Sequence, residues 1–366
     1  MSADSVRAAI AAASDGLVER GALVELVALA AVAREHVLVV GPPGTAKSEA
    51  VRRIARALGG TYFEYLLGRF TEPSEIFGPV DLRRLREGVI ETETSGMLPE
   101  AEIAFLDEVF LGSTAILNTL LGLLNERTFR RGHTRMTVPL RVCVGASNAV
   151  PDDPALAAFA DRFLLRVQVE SVPDTLLEDL LVGGRKAAVG GAVASMGAVD
   201  ALAKIADECD MSVARPLIAS AVRKLRSAGI ALSDRRVVKL QRLVAAAAAM
   251  AGREPGAGDL WPIVYAVPEA AGQDLAREVL KEMLARSDSP LLGEAAEAAS
   301  QGPLARGRRL ATAGEALLAA PGMGEDREGW TLRIEGVLRE IDASFPSNAF
   351  PATLGDLRGR LAAAVA

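Results

Sequence analysis

Apolar residues along the chain fall into two regimes that meet near residue 170. In the first, short apolar runs recur at 36–40, 61–66, 103–106, 140–146 and 164–169. Helical stretches or long connections separate them, the pattern of a parallel sheet covered by helices on both faces. After the first run, residues 47–58 repeat Val51, Ile54, Ala55 and Leu58 at the spacing of one buried helical face. Two inserts interrupt this alternation. Residues 81–86 and 89–94 flank Glu87-Gly88 and predict a β-hairpin, an insert near 79–94. A second hairpin is predicted near 127–137, turning at Arg131-Gly132.

Beyond residue 170 the strand signals stop. Residues 171–173 read as a hinge, and 175–251 as helical with breaks at Gly183-Gly184 and Gly190-Gly191. A Pro/Gly break at 253–258 precedes another helical stretch to about 286. The tail is Ala- and Gly-rich, broken at Gln301-Gly302-Pro303 and at 321–324. Within it Trp330, Ile334, Val337, Leu338 and Ile341 share one helical face, and residues 310–318 are expected to pair with it as a helical hairpin. The expected division is an α/β domain over 1–170, an all-α domain over 171–286 and a helical extension over 287–366.

Composition narrows the chemistry. Of 366 residues, 50% are hydrophobic but only 4% aromatic, which favours packed helices over a β-sandwich. Cys143 and Cys209 are too few for a disulfide framework, and with His36 and His133 they form no familiar zinc spacing. No apolar run approaches the ~18 residues of a membrane span, and Asp4 breaks any basic-then-apolar leader pattern. A reduced, cytoplasmic protein is expected. The net charge of −6 argues against a dedicated nucleic-acid binder.

The candidate chemistry begins with Gly41-Pro42-Pro43-Gly44-Thr45-Ala46-Lys47-Ser48. Placed between a strand and a helix, such a loop cradles phosphates with backbone N–H groups and the positive helix end. Lys47 would reach the β and γ phosphates and Ser48 would bind Mg²⁺. Ala46 stands where glycine is usual, which a helical backbone would tolerate. The run 103–106 ends in Asp107-Glu108: Asp107 is suited to hold the Mg²⁺ hydration shell and Glu108 to polarise the attacking water. Asn148 follows the next strand, where a polar side chain can bond the γ-phosphate or its water. Arg162, in Asp161-Arg162-Phe163, is suited to enter a neighbouring subunit's site. Ser233 starts a helix as its N-cap, and either Arg235 or Arg236 would reach the γ-phosphate from the helical part.

These motifs, in this order, resemble the MoxR branch of AAA+ ATPases, its RavA-like members in particular. Further matching features are Glu75-Ile76-Phe77-Gly78-Pro79, Leu98-Pro99-Glu100-Ala101, and Leu123-Leu124-Asn125-Glu126-Arg127 with Phe129. The likeness covers about residues 10 to 285. It implies a P-loop AAA+ core with a five-stranded parallel sheet, then an all-α lid and a helical C-terminal extension. Lys47 and Ser48 would be Walker A, Asp107 and Glu108 Walker B, and Asn148 sensor 1. Arg162 would be the arginine finger. Arg235 is preferred over Arg236 as sensor 2, since related members carry their arginine two places after the serine. The inserts match the helix-2 and pre-sensor-1 inserts of this clade. The resemblance further implies ATP and Mg²⁺, a homo-hexamer, and chaperone-like remodelling of a partner with a von Willebrand factor A domain. Competing expectations are a nucleic-acid-linked motor using the basic inserts (Arg83, Arg84 and Arg86; Arg127, Arg130, Arg131, His133 and Arg135) and a chelatase-type metal-insertion subunit. The tail beyond 287 matches nothing assigned.

Overall fold

The computed structural model describes residues 2–172, 176–184, 191–301, 303–322, 327–345 and 352–365. The sequence breaks expected at Pro173, Gly190, Gly302 and 323–324 lie wholly or partly outside them. The described residues form seven strands: β1 Val37–Val40, β2 Tyr62–Leu66, β3 Ile103–Asp107, β4 Thr128–Arg131, β5 Thr134–Thr137, β6 Val142–Ser147 and β7 Leu165–Gln168. Five of them form one parallel sheet in the order β2-β3-β6-β1-β7. Because the pairs run Val40↔Ser147 and Val40↔Gln168, with Leu66↔Asp107, all strands finish at one edge of the sheet.

The pleat sends alternate side chains to two separate cores. Val37 and Val39 face one core with the helices Gly21–Ala33 and Lys47–Leu58; Leu38 faces the other with Leu120, Phe159 and Phe163. Burial on both faces is why the strands read as continuous apolar runs.

The first insert departs from the hairpin expectation. Residues Leu82–Arg86 form a short helix, not a strand, and the only pairing is a bridge between Val80 and Thr92. None of the five helical residues is buried. With no core face to impose a strand, local capping decides: Asp81 accepts from the amides of Arg83 at 2.8 Å and Arg84 at 3.3 Å. The second insert is a two-stranded antiparallel ribbon, β4–β5. The two inserts bond to each other, His133 N–H to the Ile90 carbonyl at 2.8 Å and Thr92 N–H to Thr134 Oγ1 at 2.7 Å.

The helices after the sheet share its first core, through Leu202, Leu225, Leu240, Val244 and Trp261. Ion pairs fasten them to it. Arg141 clasps Asp200 with two bonds of 2.7 and 2.9 Å, and Arg236 donates to Asp161 at 2.6 Å. The helix Gly293–Ser300 enters the same core through Ala295, Ala296 and Ala299, while buried Glu25 accepts from its Ala295 amide at 2.8 Å. Burial and the neighbouring Glu294 carboxylate hold Glu25 well above the usual carboxylate range. The helices Pro303–Ala319, Arg327–Ser344 and Ala352–Val365 instead enclose their own core, with Leu310, Trp330, Ile334, Ile341, Leu357 and Leu361. Trp330 Nε1 donates to the Leu317 carbonyl at 2.8 Å, joining the two expected helices, and Ala352–Val365 adds a third.

Candidate nucleotide site

The phosphate loop opens where β1 ends. The Gly41 amide donates to Ser147 at 3.1 Å, which anchors the loop to β6. A Cβ on Gly41 would sit 2.1 Å from the Val169 carbonyl oxygen, so only glycine allows this approach. Gly44 has φ +76 and needs its freedom for the turn. Ala46 is a correction to the sequence reading. Its φ 58, ψ 27 is left-handed, not right-handed helical, and its Cβ costs about 1 kcal/mol there. The usual glycine carries no such cost.

Lys47 opens the helix Lys47–Leu58. Its Nζ donates to the Gly41 and Pro42 carbonyls at 2.8 Å each, folded back on its own loop. Desolvation lowers its pKa, opposed by the nearby Asp107 and Glu108 carboxylates. Ser48 is half-buried in the same first turn.

Asp107 ends β3, at the edge where the loop lies. Glu108 follows in a left-handed conformation, φ 47 and ψ 46, and its amide donates to Asp107 Oδ1 at 3.0 Å. The turn throws Glu108 across to Asn148, whose Nδ2 donates to Glu108 Oε1 at 2.7 Å. Lys47, Ser48, Asp107, Glu108 and Asn148 thus gather at the finishing edge of the sheet. The Ser48 hydroxyl and Asp107 carboxylate are the hard oxygen donors that Mg²⁺ takes, one or two from protein with the rest from phosphate and water.

Arg162 and Arg235 are not gathered with them. Arg162 precedes β7, and Leu165 pairs level with Val37, the opening end of β1 and the far edge from the loop. Its Nε is buried and has no hydrogen-bond partner among the described residues. Ser233 caps the helix Asp234–Ala251, accepting from the Arg236 amide at 3.4 Å, and its hydroxyl lies 3.5 Å from Asp161 Oδ2. This brings Arg235, exposed, to the same far edge as Arg162.

Arg236 is 1% exposed and committed to structure. It donates to Asp161 at 2.6 Å and to the carbonyls of Phe163, Leu164 and Ala266 at 2.8 Å each. The choice left open between the two arginines is therefore narrowed by burial. Sequence reasoning missed Arg20, a buried arginine that donates to the Thr45 carbonyl of the phosphate loop at 2.8 Å. A lone arginine ahead of an apolar helix carries no motif that would have revealed it.

Comparison with known proteins places this geometry. The family described as the MoxR domain of MoxR–vWA–β-propeller ternary systems matches residues 4–206. An uncharacterised protein of Methanocaldococcus jannaschii is 36% identical over 64% of this chain and 64% of its own. The chaperone MoxR1 of Mycobacterium tuberculosis is 29% identical over 42% of this chain and 41% of its own length. The chain thus matches less than two thirds of each relative. A crystal structure of a candidate ATPase from Cytophaga hutchinsonii superposes with a TM-score of 0.63 at 15% identity, covering 79% of this chain and 96% of that one; at that identity the likeness concerns the fold. The sheet order, the phosphate loop at its finishing edge and the match over 4–206 lead to one conclusion: the chain belongs to the MoxR family of AAA+ ATPases.

Proposed function

We propose that this chain binds and hydrolyses ATP as one subunit of a ring, a homo-hexamer, and uses the turnover to remodel a protein partner. The observation that carries the reading is the division of the candidate residues between opposite edges of one sheet. A single chain holds the phosphate loop, Asp107, Glu108 and Asn148 at one edge and Arg162 and Arg235 at the other. Such residues combine only when the far edge of one subunit meets the finishing edge of the next.

In this reading, the loop amides and Lys47 hold the β and γ phosphates, Lys47 exchanging the Gly41 and Pro42 carbonyls for phosphate oxygens. Ser48 and Asp107 would hold Mg²⁺, which would supply neutralisation of the phosphate charge when bound. Glu108 accepts a proton from the attacking water, and Asn148 orients that carboxylate and the water beside it. Arg162 and Arg235 of the adjacent subunit stabilise charge on the transferred phosphoryl group. The inferred partner carries a von Willebrand factor A domain, since the matching family is described in MoxR–vWA–β-propeller systems.

The rival nucleic-acid reading loses support from the inserts' own bonding. Arg131 donates to the Gly78 carbonyl, Arg84 pairs with Glu87 and Glu91, and Arg127 is turned inward onto His36 and the Arg34 carbonyl. The deciding experiment is a pull-down with Glu108→Gln, which keeps ATP bound and holds the partner. Lys47→Ala, which loses the nucleotide, is its control. Equal partner recovery from both variants would count against nucleotide-driven remodelling.

A further inference from the structure

Arg20 stands at the start of the helix Gly21–Ala33 and is 5% exposed. Its guanidinium makes three hydrogen bonds: Nε to the Thr45 carbonyl at 2.8 Å, Nη2 to the Glu170 carbonyl at 2.6 Å and Nη1 to the Glu19 carbonyl at 2.6 Å. All three acceptors are main-chain oxygens. No carboxylate forms an ion pair with it among the described residues, and burial is the main influence on its charge.

Two consequences follow. In a trans peptide the C=O and the N–H of one unit point in opposite directions. With the Thr45 carbonyl held toward Arg20, the Ala46 N–H therefore points away from Arg20. This is the peptide next to the left-handed Ala46, whose backbone conformation is strained. Second, a buried guanidinium with only neutral acceptors keeps its positive charge at low dielectric, and that charge is felt at Lys47. A polyphosphate is the anion that would compensate both. The third contact extends the link: Glu170 lies two residues past the end of β7, where the chain leaves the sheet for its helical part.

We propose that Arg20 is a positioning residue for the bound triphosphate. It aims the Ala46 N–H at the phosphates, adds a buried positive charge behind the loop, and ties loop position to the Glu170 carbonyl at the exit from the sheet. The proposal rests on the nucleotide reading above.

The test compares Arg20→Met, which removes the charge, and Arg20→Lys, which keeps the charge but not the fork. Binding of a non-hydrolysable ATP analogue with Mg²⁺ is measured by calorimetry. Arg20→Met should bind at least about tenfold more weakly and Arg20→Lys within about threefold of the unaltered chain, as loss of a charged partner requires. Amide exchange reads the link. In the unaltered chain the analogue should slow exchange at 44–50 and also at 168–172. In Arg20→Lys the protection at 168–172 should fall while that at 44–50 stays.

A folded Arg20→Met that binds as tightly as the unaltered chain overturns the proposal. So does an unaltered chain protected at 44–50 but not at 168–172, a result that decides the matter even where Arg20→Met does not fold. If the unaltered chain binds no nucleotide, the nucleotide reading falls and takes this proposal with it. Tight binding with indifferent Arg20 variants removes this proposal alone.

Discussion

At the finishing edge of the sheet, the charged groups of the candidate site have partners within their own chain. Lys47 lies on loop carbonyls, Asp107 accepts from the next amide, and Glu108 accepts from Asn148. At the opposite edge the account does not close. Asp161 is taken by Arg236, Arg162 Nε is buried without a partner among the described residues, and Arg235 is exposed. One edge gathers groups suited to a phosphate ligand; the other offers Arg162 and Arg235, which form no ion pair among the described residues. That difference is what the proposed ring would resolve, since a neighbour's nucleotide would bring an anion to this edge.

The largest effect should come from separating the edges. Arg162→Ala is expected to lower turnover about 10³-fold while leaving nucleotide affinity within about threefold. Glu108→Gln should bind normally and lose turnover by about 10²–10⁴-fold. Mixing Arg162→Ala with Lys47→Ala should restore part of the activity, since a mixed interface can join an intact loop to an intact arginine. No rescue in mixed rings confirmed by mass would break the comparison.

Next in size is the contrast between adjacent arginines. Arg236→Ala removes the guanidinium donor from Asp161 and three carbonyls; because Asp161 is partly exposed, the cost should fall at or below the low end of the about 3–5 kcal/mol of a fully buried pair, readable by urea unfolding. Arg235→Ala should change stability by no more than about 0.5 kcal/mol and act on turnover. If Arg235→Ala destabilises as Arg236→Ala does, the division into a structural and a functional arginine fails.

A truncation asks whether the tail contributes to either edge. Ending the chain after Gln301 removes three helices with their own core and should leave nucleotide affinity within about twofold. Ending it after Ser287 also strips Leu291 and Leu292 from the main core, each worth about 1.5–3 kcal/mol of burial. The two truncations should therefore differ in melting temperature, the shorter being the less stable.

The smallest effect is at Ala46. Relieving the left-handed alanine, Ala46→Gly should stabilise the protein by about 1 kcal/mol without weakening nucleotide binding. A loss of stability would mean the loop's conformation is set by something other than backbone strain.

Much of this was legible along the chain because it is local. Strands buried on both faces read as apolar runs, and all five sheet strands fall within a few residues of their runs. The phosphate loop and Asp107-Glu108 are contiguous motifs. What was not legible turns on burial, or on partners far apart in sequence. The insert at 79–94 read as a hairpin because its two segments flank Glu87-Gly88, yet 82–86 has no buried face to hold a strand, and the Asp81 cap prevailed. Arg235 and Arg236 were separated along the chain only by the spacing that the family resemblance implies; a carboxylate 75 residues from Arg236 gives the physical difference. Arg20 finds its acceptors 25 and 150 residues downstream.

By itself, then, the sequence determined the elements, the sheet class and the chemistry carried by contiguous motifs, since hydrophobic period and loop composition act over a few residues. Only the tertiary structure decided which edge of the sheet each charge occupies, which arginine is spent on structure, and that Ala46 is held left-handed. Those outcomes follow from parallel register and from burial, which bring together groups that chain order keeps apart.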